Sequence, residues 1–93
     1  MTEEQINEAR ILFQQNKLEQ ALAILNRCIQ ENSLNDQALL VRGKVNYKQQ
    51  KWGEAMNDFA AVLEIDPENP EAKSGLQMAK NILGYFTPDL FNP

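Results

Sequence analysis

Ninety-three residues with a net charge of -4, no histidine and one cysteine leave room for one small domain and for little chemistry. The acidic balance excludes a general phosphate-backbone binder, so no nucleic-acid partner is expected. Without histidine the commonest general base and metal ligand are both missing, and a lone Cys28 forbids an internal disulfide or a cysteine-rich zinc site. The N-terminus, MTEEQINEAR, is polar and acidic, unlike a secretory signal, and no apolar run approaches the roughly 20 residues of a membrane span. The expected compartment is the cytoplasm, with no membrane partner.

Thr2 opens a first helix with Gln5 three residues on, a capping-box spacing, and Glu3 and Glu4 favour its positive end. Ile6, Ala9, Leu12 and Phe13 recur at helical spacing, and Asn16 is a left-handed stop. A second helix is expected from Leu18 to Glu31, with Leu18, Ala21, Leu22, Leu25, Cys28 and Ile29 on its inner face. Asn35 caps a third helix, from Asp36 to Gln49, and a fourth runs from Trp52 to Ile65 until Pro67 stops it. Asn69-Pro70-Glu71 reads as a cap, a first-turn proline and an acid, opening a fifth helix from Pro70 to Leu83. Its stripe is Ala72, Leu76, Ala79 and Leu83, with Lys73, Gln77 and Lys80 toward water.

Sliding the chain on itself by 34 residues sets Ala9 on Gly43, Phe13 on Tyr47, Leu18 on Trp52, Ala21 on Ala55 and Leu25 on Phe59. Small residues stay opposite small ones at this one shift, which helical periodicity alone does not require. Gly43 and Ala55 would let the two helices of a unit approach closely.

Gly43, Tyr47, Trp52, Ala55, Phe59, Ile65, Asp66 and Pro67, with the fainter copy Ala9, Phe13, Leu18, Ala21 and Leu25, resemble the tetratricopeptide-repeat pattern. The departures are Gln5 and Leu39 in place of tryptophan, Glu8 and Arg42 in place of leucine, Gln50 for the turn glycine and Ser33 for the closing proline. The resemblance implies an all-α solenoid: about five helices, in antiparallel pairs, forming a right-handed superhelical array. It divides the chain into a domain over 1–84 (repeat 2–35, repeat 36–69, capping helix 70–84) and an aromatic tail over 85–93.

The same resemblance implies a concave groove lined by the first helix of each repeat, binding a peptide segment. The outward faces carry Ile6, Arg10 and Phe13 on the first helix, Leu40, Lys44, Tyr47 and Lys48 on the third, and Met78 on the fifth. Four cations and one acid lie between Asp36 and Lys51, which favours an acidic segment or a terminal carboxylate as the ligand. Solvated lysines and aromatics that merely pack the repeat are the plainer reading of the same patch. The chaperone-tail clamp of the family needs a lysine and asparagines where this chain has Ile6, Arg10 and Val41, so chaperone tails are not the expected ligand.

Tyr85, Phe86, Leu90 and Phe91 crowd four large apolar residues into the tail, beside Asp89. A lid on the fifth helix, an occupant of its own or a neighbour's groove, and a free segment awaiting a partner are all open. Crossing to a neighbour would give a homodimer. Cys28 reads as an ordinary buried thiol, Arg42 as the ion-pair partner of Asp58 or Glu8, and Asp66, Glu68 and Glu71 as helix-end charges without the spacing of a calcium loop. No phosphate loop, dinucleotide fingerprint or nucleophile–base pair occurs, so no catalytic residue, metal or cofactor is expected. The expected function is a non-catalytic adaptor or scaffold; the rival is a self-associating unit using the tail or the open repeat end.

Overall fold

A computed structural model describes residues 2–86, the side chains as far as residue 84, and contains five helices and no strand among those residues. They are α1 (Thr2–Gln14), α2 (Leu18–Glu31), α3 (Asp36–Lys48), α4 (Trp52–Ile65) and α5 (Pro70–Phe86). Three- and four-residue connections leave each helix no choice but to double back on the previous one. Beyond these sequential pairs, α1 packs on α3 and α3 on α5, so the three odd-numbered helices share one side of the array.

The repeat is legible in the backbone itself. Asn16 and Gln50 both take left-handed φ, 63° and 64°. After them Lys17 N–H donates to Leu12 O at 2.8 Å and Lys51 N–H to Asn46 O at 2.9 Å, tying off the orphan carbonyls of α1 and α3 in the same way. Asn16 suits that conformation; Gln50 adopts it without a glycine, at a cost of about 1–2 kcal/mol for its Cβ.

The opposite turns match as well. Asn35 Oδ1 accepts from Ala38 N–H at 3.1 Å and Asn69 Oδ1 from Ala72 N–H at 2.9 Å, each satisfying one orphan donor of its helix. Asn35→Ala and Asn69→Ala are each expected to lower unfolding free energy by about 1 kcal/mol in urea titrations.

Two apolar cores alternate along the array. Ile6, Ala9, Ala21, Leu25, Cys28, Ala38, Val41 and Val45 fill the space between α1, α2 and α3. Leu39, Leu40, Ala55, Phe59, Val62 and Ala72 fill that between α3, α4 and α5, and Ile29 borders both. The Cys28 thiol belongs to the first core, donating to Gln5 Oε1 at 3.7 Å, and burial pushes its pKa up. It therefore stays protonated and unreactive at neutral pH.

Two groove assignments are corrected here. Ile6 is 3% exposed and Leu40 8%, so both are core. Ile6 and Phe13 lie seven residues apart on one stripe of α1, as do Leu40 and Tyr47 on α3. The first member of each pair is buried in a core, and only the second lines the open cavity. The fifth helix also outruns its expected end, continuing to Phe86, so Tyr85 and Phe86 are backbone-helical rather than tail. Their side chains, together with Leu90 and Phe91, lie outside the described residues.

One polar seam crosses the even-numbered side. Arg42 donates to both oxygens of Asp58, at 3.0 Å from Nε and 2.7 Å from Nη2, and Nη1 reaches Asn26 at 3.1 Å. Asn46 Nδ2 adds a further bond to Asp58 at 2.9 Å. The fork links α2, α3 and α4, and Asp58 is the expected partner. Asp58→Ala strands the Arg42 guanidinium and a buried amide, and is expected to cost about 3 kcal/mol by denaturant unfolding, against a smaller loss for Asp58→Asn.

Candidate functional site: an apolar groove between α3 and α5

The odd-numbered side holds a cavity of about 690 Å³ where α1 ends and α3 and α5 diverge. Phe13 stands at one end; Lys44, Tyr47 and Lys48 come from α3; Trp52 and Phe59 come up from α4; Pro70, Glu71, Ser74, Gly75 and Met78 form the α5 wall. Tyr47 and Trp52 meet edge to face, centroids 5.0 Å apart at 75°, a favoured arrangement for an aromatic pair. Met78 is 49% exposed, a flexible apolar side chain left facing the opening.

Phe59 is the floor, and two glycines make room for it. A Cβ on Gly43 would stand 2.7 Å from Phe59 Cε1, and one on Gly75 would stand 2.6 Å from Cε2 on the opposite edge. The ring is thus held between α3 and α5 by the absence of side chains on both.

Charge at the rim is more balanced than the local run of lysines implies. Lys44 is ion-paired with Glu71 across the groove mouth. Lys48 places its Nζ 5.3 Å from the Phe13 ring centroid, a cation over an aromatic face, and forms no ion pair among the described residues. One cation therefore remains to meet an incoming acid.

Of the groove residues expected from sequence, Phe13, Lys44, Tyr47, Lys48 and Met78 converge on this cavity. Arg10 does not line it; its guanidinium is taken by Asn7 Oδ1 at 2.7 Å and Gln37 Oε1 at 3.1 Å. Trp52, Phe59, Glu71 and Gly75 were not anticipated. Trp52 and Phe59 sit at repeat-packing positions, and only the 34-residue alignment with apolar Leu18 and Leu25 drew attention to them. Nothing local marks Gly75, which falls opposite Val41 in that alignment. Asp66, Glu68 and Glu71 do not assemble: Asp66 bonds the Glu68 N–H, Glu68 pairs with Lys73, and Glu71 with Lys44. No cluster of three or more acidic or sulfur ligands fit for a metal occurs among the described residues.

No family model matches the chain. Structurally it superposes on the first tetratricopeptide repeat domain of Spaghetti (RPAP3), solved bound to the Hsp90 peptide SRMEEVD, with a TM-score of 0.87 and 28% identity over 90% of this chain and 67% of that one. It is 38% identical over 64 residues to human tetratricopeptide repeat protein 16. The chain belongs to the tetratricopeptide-repeat family. The tetratricopeptide domain of Arabidopsis OM64 has the same fold, with a TM-score of 0.83 at 22% identity over 87% of this chain and 67% of that one. A DnaJ homolog subfamily C member 7 homolog from Dictyostelium discoideum is 31% identical over 81 residues. These matches cover 87% of this tetratricopeptide chain in the Dictyostelium case and 69% in the human one, but only 15% and 7% of those longer relatives. The cavity is lined from the three odd-numbered helices and from α4. No helix among the described residues is long and apolar enough to cross a membrane.

Proposed function

We propose that this tetratricopeptide domain is a non-catalytic protein-interaction module, and that the groove between α3 and α5 binds a short segment carrying a large apolar side chain beside an acid. One observation carries the reading: a preformed cavity floored by Phe59 and walled by Tyr47, Trp52 and Met78, with Lys48 at its edge. Such a site suits an aromatic or leucine anchor, which would displace water from Tyr47, Trp52 and Met78. Lys48 supplies the single charge for a neighbouring carboxylate.

Spaghetti's solved ligand is not carried over. Ile6 and Val41 are core residues, Arg10 is tied to Asn7 and Gln37, and Glu71 sets a carboxylate at the mouth. This arrangement favours an apolar anchor over capture of a terminal carboxylate. A fluorescence-anisotropy screen of ten-residue peptides combining Leu or Phe with Asp or Glu, with SRMEEVD as the comparison probe, tests the reading. Binding should be found among the apolar–acidic set, should be lost on Tyr47→Ala, and should exceed that of SRMEEVD. A preference for SRMEEVD undiminished by Tyr47→Ala would refute it.

A further inference from the structure

The chain carries a segment of this description itself. We propose that Asp89-Leu90-Phe91 folds back into the α3–α5 groove of its own molecule and competes there with partner segments. The inference rests on the groove reading above and adds its resident occupant.

Reach comes first. α5 forms one wall of the groove and is helical as far as Phe86, eight residues beyond Met78, which is about 12 Å of helix. From Phe86 the chain needs five residues to arrive at Phe91, a span of up to about 17 Å when extended. A reversal directly after the helix therefore brings Leu90 and Phe91 level with Met78. In the sequence Pro88 disfavours helical geometry for the residue before it, which is compatible with a reversal there.

Chemistry comes second. The cavity offers the Phe59 floor, the Tyr47–Trp52 pair and half-exposed Met78. Lys48 forms no ion pair among the described residues, whereas Lys44 is already matched by Glu71. Asp89 adjoins Leu90, so seating the apolar pair would bring a carboxylate toward Lys48, the groove-lining cation that is not ion-paired among the described residues. Docking in cis also avoids the concentration cost of a separate ligand, because a short tether holds the segment at millimolar effective concentration.

Trp52 makes this measurable, being the chain's single tryptophan and lying in the groove. The experiment compares the full chain with its Leu90→Ala/Phe91→Ala variant, both checked by circular dichroism for equal helicity. The acrylamide quenching constant of Trp52 should rise about twofold in the variant. A synthetic GYFTPDLFNP peptide added in trans should then bind the variant about tenfold more tightly than the wild type. Equal quenching with equal peptide binding would overturn the resident tail while leaving the groove reading intact. Equal quenching with no peptide binding to either protein would sink both. Shielding that is lost on dilution, in step with a fall from dimer to monomer mass, would assign the groove to a second copy and overturn docking in cis.

Discussion

Gly75→Ala is expected to lower the unfolding free energy by about 1–2 kcal/mol, although alanine is the better helix former. Placed mid-helix, the substitution gains about 1 kcal/mol of propensity. Against this stands a Cβ at 2.6 Å from Phe59 Cε2 and 2.7 Å from Cζ. The ring cannot retreat, because its other edge already lies where a Cβ on Gly43 would be only 2.7 Å away. Overpacking of that kind costs about 1–3 kcal/mol, toward the upper end where both sides are blocked. The melting temperature should fall by roughly 5–12 °C for a domain of this size. Gly53→Ala is the internal control, for nothing lies within 4 Å of a Cβ there. It should stabilise by about 0.5–1 kcal/mol, so one chemical change gives opposite signs at two helical glycines. Equal stabilisation at both positions would mean that Phe59 is not clamped between α3 and α5.

Removing the Tyr47 ring is expected to weaken binding of an apolar–acidic peptide by about 30-fold, mostly through faster dissociation. The ring is a cavity wall and also holds Trp52 in place at 5.0 Å, so its loss removes contact area and preorganisation together. Central aromatic anchors of this kind carry about 2 kcal/mol or more. Lys48→Glu should act differently. Its charge sits at the exposed rim, so affinity should drop only severalfold, through slower association, and the loss should shrink as salt is raised. Reversing Lys44 is a poorer probe, because it sets a carboxylate against Glu71 and disturbs the α3–α5 junction as well. Stopped-flow measurements on Trp52 emission separate the two rate effects. If Tyr47→Ala leaves the dissociation rate unchanged, the peptide does not use this cavity.

Most of the helical framework is readable in the sequence. The bounds of α2 and α4 follow from apolar periodicity and from local stops, Asn16 before one and Pro67 after the other. The Asn35 cap and the Arg42–Asp58 pair could be anticipated for the same reason: one is a contact three residues apart, the other joins neighbouring helices of one repeat. α5 runs about three residues beyond the expected Leu83, as far as Phe86.

The candidate site was legible only in part. Phe13, Tyr47 and Lys48 stand out because they recur on the open stripe of α1 and α3, yet Ile6 and Leu40 share those stripes and are core. Helical phase says which side a residue faces; it does not say how far the next helix covers that side. Lys44 belongs to the rim but was expected to be free, and its partner Glu71 lies 27 positions along the chain, beyond any local rule.

The amino-acid sequence alone determined the helices, their 34-residue order and the family, since these depend on period, caps and stops within a few residues. Tertiary structure decided the depth of the groove and its charge. Both depend on where α5 crosses α3, and that crossing is set by Phe59 finding two glycines, Gly43 and Gly75, on helices that are distant in sequence.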